Sequence, residues 1–305
     1  MSRFTFLFCI CFIQHTLFAQ EKWRDTTEYQ QGIHPKRLAF SLGGIGAAWA
    51  GSTVGLWNVW YADQSTGKFH FFNDATDWLM ADKVGHFYTT YQLSKYSKNA
   101  VLWAGLPVKK SVFIGTAIGL GFQTTLEIMD GYSSGWGFSW ADIASNSVGA
   151  LLFCGQEFLW KEQRLLPKFS YHPTGYAAIR PEVLGYSPIE GLLKDYNGQT
   201  YWISLSPGKF LATSSFPKWL CISVGYSIDA KLVGDQNTFT DYSVTNSPTY
   251  NARQQWLLSL DVDFNALPIK RKWLKSLLEP LNMLKIPFPT LILSNGKVNG
   301  NWFYF

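Results

Sequence analysis

From Leu38 to Ala62 the chain runs for 25 residues without a charged side chain, between Arg37 and Asp63. As a helix, an apolar stretch of this length is long enough to cross the hydrocarbon of a bilayer, which takes about 20 residues. Small residues recur every fourth position at Gly43, Ala47, Gly51 and Gly55. That spacing puts them on one helix face, where a second helix can approach closely. The stretch closes in "GLWNVWYADQ", an aromatic belt of the kind found at a membrane–water boundary. Aromatics make up 17% of the chain, including 14 Trp, a composition that suits such a boundary or a large aromatic core.

Residues 1–19, "MSRFTFLFCICFIQHTLFA", have one early Arg, an apolar run and a small residue before Gln20. This is the outline of a signal peptide cleaved after Ala19, and export is expected. An uncleaved anchor is the alternative, although the run is short for a span. Removal of this segment leaves Cys154 and Cys221, which make no disulfide framework and no zinc-ligand spacing. A Cys154–Cys221 bridge stays open in an oxidising compartment, and Cys154 in "GALLFCGQEF" reads more simply as a small buried hydrophobe. The net charge of +5 comes entirely from residues 161–305, with 15 basic and 10 acidic side chains. This excess is too mild for a nucleic-acid footprint, and no recognition motif accompanies it.

Composition shifts near residue 165, so a leader (1–19), a linker (20–37), a helical bundle (38–164) and a β-rich domain (165–305) are expected. The bundle reads as four Gly/Ala-rich helices: Leu38–Ala62, about Trp78–Tyr96, about Lys110–Met129 and about Trp140–Trp160. The third and fourth carry uncharged runs of only 16 and 14 residues, short of the usual span. Lys95, Lys98, Lys109 and Lys110 are read as a loop after the second helix, which defeats a simple positive-inside orientation. A bundle at the periplasmic side, or partly sunk in the outer membrane, fits those charges. Beyond residue 165, "QQWLLSLDVDF" alternates, with Trp256, Leu258 and Leu260 on one face and Gln255, Ser259 and Asp261 on the other. "IKRKWLKSLLEPLNMLKI" reads as a basic amphipathic helix broken near Pro280, lying on an anionic surface or on its own sheet. About six strands are expected, too few for a closed barrel of eight, although the terminal "NGNWFYF" resembles the last strand of such barrels. The fold class expected is α+β: a membrane-associated helical bundle followed by a smaller β-rich domain facing the periplasm.

Ionisable groups interrupt the bundle. Asp82 and His86 share one face of the second helix; Gln123, Glu127 and Asp130 form a stripe on the third; Asp142 and Asn146 share a face of the fourth. Three polar stripes on otherwise apolar helices point to a common interior. Asp142 three residues after Ser139 also fits a helix cap, Asp130 can close the third helix, and Lys83 reads as a solvated neighbour. Glu127 is the hardest to dismiss, because a carboxylate one turn inside an apolar helix is costly unless paired. His86 is its natural partner. A satisfied structural network, a catalytic or ligand site, and a site for a hard or borderline cation all remain open. The E-x-x-H pair of di-iron bundles is absent, so no cofactor or metal is assigned.

"DKVGHF" and "LEIMDGYSSGWGFSWAD" resemble the YfiM-like domain of unknown function, a family of predicted periplasmic lipoproteins. The shared pattern covers Asp82, Lys83, His86, Phe87, Glu127, Asp130, Ser139 and Asp142, within about residues 80–155. Asp142, Asn146 and Gly149 are more distantly similar to VanZ-like membrane proteins. The resemblance implies an envelope location and a helical bundle, and no established activity. The family's lipid-attachment cysteine is missing here. An exported envelope protein of structural or partner-binding role is therefore expected, with membrane lipid and an envelope protein as partners. The alternative is an envelope enzyme acting on a lipid or cell-wall precursor head group, with His86 as general acid or base tuned by Glu127 and Asp142.

Overall fold

The structure, a computed structural model, describes residues 32–61, 64, 66–211 and 215–305. The expected signal peptide, most of the linker, and Ala62 with Asp63 lie outside the described residues. The chain divides into two compact units, neither continuous in sequence. Of the described residues, one, the helical unit, takes those in 32–73, 89–163 and 268–281; the other, the sheet unit, takes those in 74–88, 164–267 and 282–305.

The long helices are α1 (Pro35–Leu56), α2 (Ala81–Trp103), α3 (Val108–Tyr132) and α4 (Trp140–Trp160). Pro35 opens α1 with its φ preset, and a π-helical turn, Trp57–Tyr61, ends it. Ser139 caps α4 by accepting a hydrogen bond from the Asp142 N–H, and Lys161 in the left-handed region stops it. Short helices follow: α5 (Pro181–Leu184), α6 (Pro188–Lys194), α7 (Pro207–Phe210) and α8 (Lys272–Leu278). The eight α-helices among the described residues exceed the four bundle helices and one amphipathic helix expected, because proline-opened turns between the strands are helical as well. The amphipathic stretch before Pro280 shrinks to the seven residues of α8 and a 3-10 turn at Pro280–Met283.

Among the described residues, the helix long and apolar enough to cross a membrane is α3 and not the Leu38–Ala62 stretch. Gly, Ser and Thr residues dilute the hydropathy of α1. In the helical unit, Tyr91, Val112 and Phe153 form one apolar cluster, and Val101, Ala104 and Leu106 form another. Gly119 lets α3 approach α2: a Cβ there would lie 2.3 Å from Ser94 Oγ and 2.9 Å from the Thr90 carbonyl.

In the sheet unit, β1 (Leu165–Tyr171), β2 (Gln199–Leu205), β3 (Leu220–Asp229), β6 (Arg253–Val262), β7 (Phe288–Ser294) and β8 (Lys297–Tyr304) form one antiparallel sheet in that order. β4 (Thr238–Thr240) and β5 (Thr249–Asn251) pair separately. The sheet curls. The ring of Tyr304 on the last strand lies 6.0 Å from that of Trp202 on the second, and its hydroxyl is 3.0 Å from Thr200 Oγ1. Trp202 in turn lies over Gly225, where an added Cβ would meet the indole at 2.6 Å.

Alternation along these strands sorts side chains in an unusual sense. The buried face holds Lys168, Thr200, Ser204, Ser223 and Asp261, each fully enclosed. The apolar face is exposed: Val224, Trp256, Leu258 and Leu291 stay about half open. Antiparallel sheets of water-soluble proteins turn the apolar face inward.

Candidate functional site

In the helical unit the buried polar residues are organised around α3 and α4. Glu127 is fully enclosed, and its Oε2 accepts the backbone N–H of Ser139 at 3.3 Å. Ser139 Oγ accepts the Asp142 N–H at 3.2 Å, so the cap of α4 and the Glu127 carboxylate are joined through one residue. Carboxylate oxygens of Glu127 and Asp142 come within 4.8 Å of one another. One turn along, Asn146 Oδ1 accepts from Thr90 Oγ1 at 2.9 Å and from Gln123 Nε2 at 3.2 Å. Asp130 turns elsewhere and accepts the Tyr61 hydroxyl at 2.6 Å.

A second polar set in this unit was not anticipated. Lys98 and Glu157 form a buried ion pair at 3.1 Å, and Lys95 pairs with Glu279 at 3.3 Å. Gln163 ties the first pair down: its Nε2 donates to Glu157 Oε1 and to the Phe153 carbonyl, while its Oε1 accepts from Tyr91 and Gln156. Lys95 and Lys98 therefore lie on α2 and are buried, so they are not loop charges that could orient the chain in a membrane. The only cue was their i, i+3 spacing on a helix whose apolar stripe they interrupt, and their partners are 59 residues or more away.

In the sheet unit, Asp82 and His86 share a face of the first turns of α2, and His86 is half-buried. Lys83 is enclosed and ion-paired to Asp74 at 2.7 Å and Asp82 at 2.9 Å, which overturns the reading of it as solvated. Burial, together with the nearby Asp74 carboxylate, raises the pKa of Asp77 above the usual carboxylate range. Just before α2, Trp78, Leu79 and Met80 all adopt positive φ, a conformation costing about 1–3 kcal/mol per residue when unsupported. It is supported here: the Trp78 N–H donates to the Gly234 carbonyl at 2.9 Å, and the Tyr226 hydroxyl donates to the Leu79 carbonyl. His86 belongs to the sheet unit, whereas Glu127 and Asp142 belong to the helical unit.

The sheet interior holds further charges. Lys168 pairs with Asp261 at 2.8 Å, both fully enclosed, and Asp261 also accepts the Ser204 hydroxyl at 2.7 Å. Lys209 pairs with Asp263, which also accepts from Asn282 at 2.9 Å. Burial pushes Asp263 up, but Lys209 and Asn282 outweigh it and hold the carboxyl below its usual range. Burial lowers Lys285, beside the Trp202 ring, to about 8. Cys154 and Cys221 are both free thiols, so the bridge left open by the sequence is not formed.

Among the described residues, one cavity of about 130 Å³ lies beside Trp57, Tyr61 and Tyr132 in the helical unit. Another, of about 150 Å³, lies between Phe87, Tyr88, Tyr201 and Trp256 in the sheet unit. Both are walled by apolar surface, and both fall short of the roughly 300–1,000 Å³ usual for a site that encloses a ligand.

Comparison with known proteins bears on the same stretch. Residues 70–154 match a family of unknown function, DUF2279, described as a predicted periplasmic lipoprotein. The match spans Asp82, His86, Glu127, Asp130, Asp142 and Asn146 and supports a location in the cell envelope. Neither a curated protein nor a solved structure matches the chain.

Proposed function

We propose that this is an exported envelope protein whose helical unit is embedded in a membrane, and that its buried polar groups hold the helices in register. The observation that carries the reading is the sense in which the helical unit is turned. Glu127, Asn146, Glu157, Lys98, Ser94 and Thr90 are enclosed, while Phe40, Val54, Phe113, Val148, Leu151 and Leu159 are exposed. Water-soluble helices bury the apolar stripe. Helices in lipid have no such drive and associate through small residues and interhelical hydrogen bonds, the arrangement of Gly119, Asn146 and Thr90. In this reading Glu127, Asp142 and Asn146 of the helical unit are structural, as are Asp130 with Tyr61 and, in the sheet unit, Asp82 and His86, and the role of the protein is to bind a partner in the envelope. No observation among the described residues favours the envelope-enzyme alternative.

Fractionation tests the reading. After signal removal the chain should stay in the membrane pellet through alkaline carbonate washing and leave it only with detergent. Release by carbonate alone would overturn it.

A further inference from the structure

The exposed face of the six-stranded sheet raises a separate question, because nothing in a soluble domain accounts for its composition. The register lines up Ile203, Val224, Leu258 and Leu291 as one row across four strands. Tyr226, Trp256, Leu293 and Val298 form the next row. We infer that this face is inserted in the hydrocarbon of a lipid bilayer, so that the sheet unit is a second membrane-embedded part of the molecule. The inference rests on the envelope reading above and extends it to a part of the chain expected to face the periplasm.

Three features of the sheet select lipid as the occupant. The first is inverted alternation: the inward side is mostly polar, with Trp202, Leu257 and Tyr304 packed among the polar groups, and the outward side is apolar, as in outer-membrane strands. Here the inward set includes an ion pair, Lys168–Asp261, at zero exposure, while Leu258 on the outward side is 47% exposed. The second is length. The central strands β3 and β6 are each 10 residues long, against about 9–11 for a tilted membrane-crossing strand, and the flanking strands are 7 or 8.

The third is charge. Neither outward row contains an ionisable group other than the Tyr226 phenol, whose hydroxyl is bonded to the Leu79 carbonyl. The formal charges sit at the strand ends: Asp229 and Arg253 pair at 2.5 Å at one end, while exposed Lys218 precedes β3 at the other. An uncharged band between charged rims complements hydrocarbon between two layers of head groups. The pairing order leaves β1 and β8 as edges, so this is a curled sheet and not a closed eight-stranded barrel.

Nitroxide accessibility in the full chain tests the inference. With all four native cysteines, Cys9, Cys11, Cys154 and Cys221, replaced by Ala, single cysteines at Leu258, Leu291 and, in the helical unit, Leu151 are spin-labelled and reconstituted in phosphatidylcholine–phosphatidylglycerol vesicles. Labels at 258 and 291 should relax with dissolved oxygen and be shielded from a water-soluble nickel chelate, as at 151. Nickel access at 258 and 291 with shielding at 151 would overturn the inference and leave the helical reading standing. Nickel access at all three would end both. Shielding of 258 and 291 from both reagents would mean that a protein, a second copy included, covers the face, and would also overturn it. Should the cysteine-free chain fail to fold, Trp256→Leu in the otherwise native chain serves instead. The fluorescence it removes should be quenched by bromine-labelled lipid; quenching by aqueous iodide would overturn the inference.

Discussion

The helical and sheet units solve the same problem by different means. Each encloses polar side chains beside small apolar clusters and leaves many apolar side chains outside. In the helical unit the polar groups are spread over three helices and reach one another because Gly119 removes the side chain that would hold α2 and α3 apart. In the sheet unit the backbone supplies the spacing: period-two alternation delivers Lys168, Ser204, Ser223 and Asp261 to one side without any special residue. The part of the helical network around Asn146 is made of hydrogen bonds that tolerate exchange, such as Thr90 to Asn146, and a separate part is the Lys98–Glu157 ion pair. The sheet interior centres on the fully enclosed Lys168–Asp261 ion pair. Loss of one partner of a buried ion pair should hurt more than loss of one hydrogen-bonding group around Asn146.

Lys168→Met gives the largest expected effect. It leaves Asp261 charged and enclosed, and should cost about 3–5 kcal/mol, measured by urea unfolding in micelles. The double change Lys168→Met with Asp261→Leu should recover most of that loss, because the uncompensated charge is gone. A double variant as unstable as the single would show that the pair's packing and not its charge balance matters, and the contrast with the hydrogen-bonded groups would collapse.

Glu127→Leu should cost less, about 1–3 kcal/mol, through the Ser139 N–H left without its acceptor. Glu127→Gln should lose only a fraction of this, since an amide oxygen can still accept. Equal damage from Gln and Leu would mean that the carboxylate charge itself is required, against a structural role. Ser139→Ala should be the mildest, about 1 kcal/mol for a lost helix cap, with Ser139→Asp close to the parent. A cap variant costing more than Glu127→Leu would place the centre of the helical network at the start of α4.

The sequence carried part of this. Uncharged length gave α1 and α3, and α4 was bounded correctly because Ser139 marks its start and "WKEQR" its end, whereas α2 runs to Trp103, past the expected end near Tyr96. The split of "QQWLLSLDVDF" into two faces was also legible. The direction of that split was not, since alternation looks the same whether the apolar set meets a core or lipid. The buried pairs were hidden for another reason. Lys98 and Glu157 are 59 residues apart, and Lys168 and Asp261 are 93 apart, so each reads as an ordinary surface charge until the fold joins it to its partner. Lys83 was misjudged because one of its two partners, Asp74, lies outside the helix it sits on.

The stacking of Trp202 on Gly225 bears on permeation. That indole, with Leu257 and Tyr304, occupies the space inside the curl where a wider sheet would hold water. The remaining polar groups there are committed to one another, Lys168 to Asp261 and Thr200 to Tyr304. A solute would have to displace a packed ring and break an ion pair to pass. The interior of the curl is filled by packed side chains, not by an open channel, among the described residues.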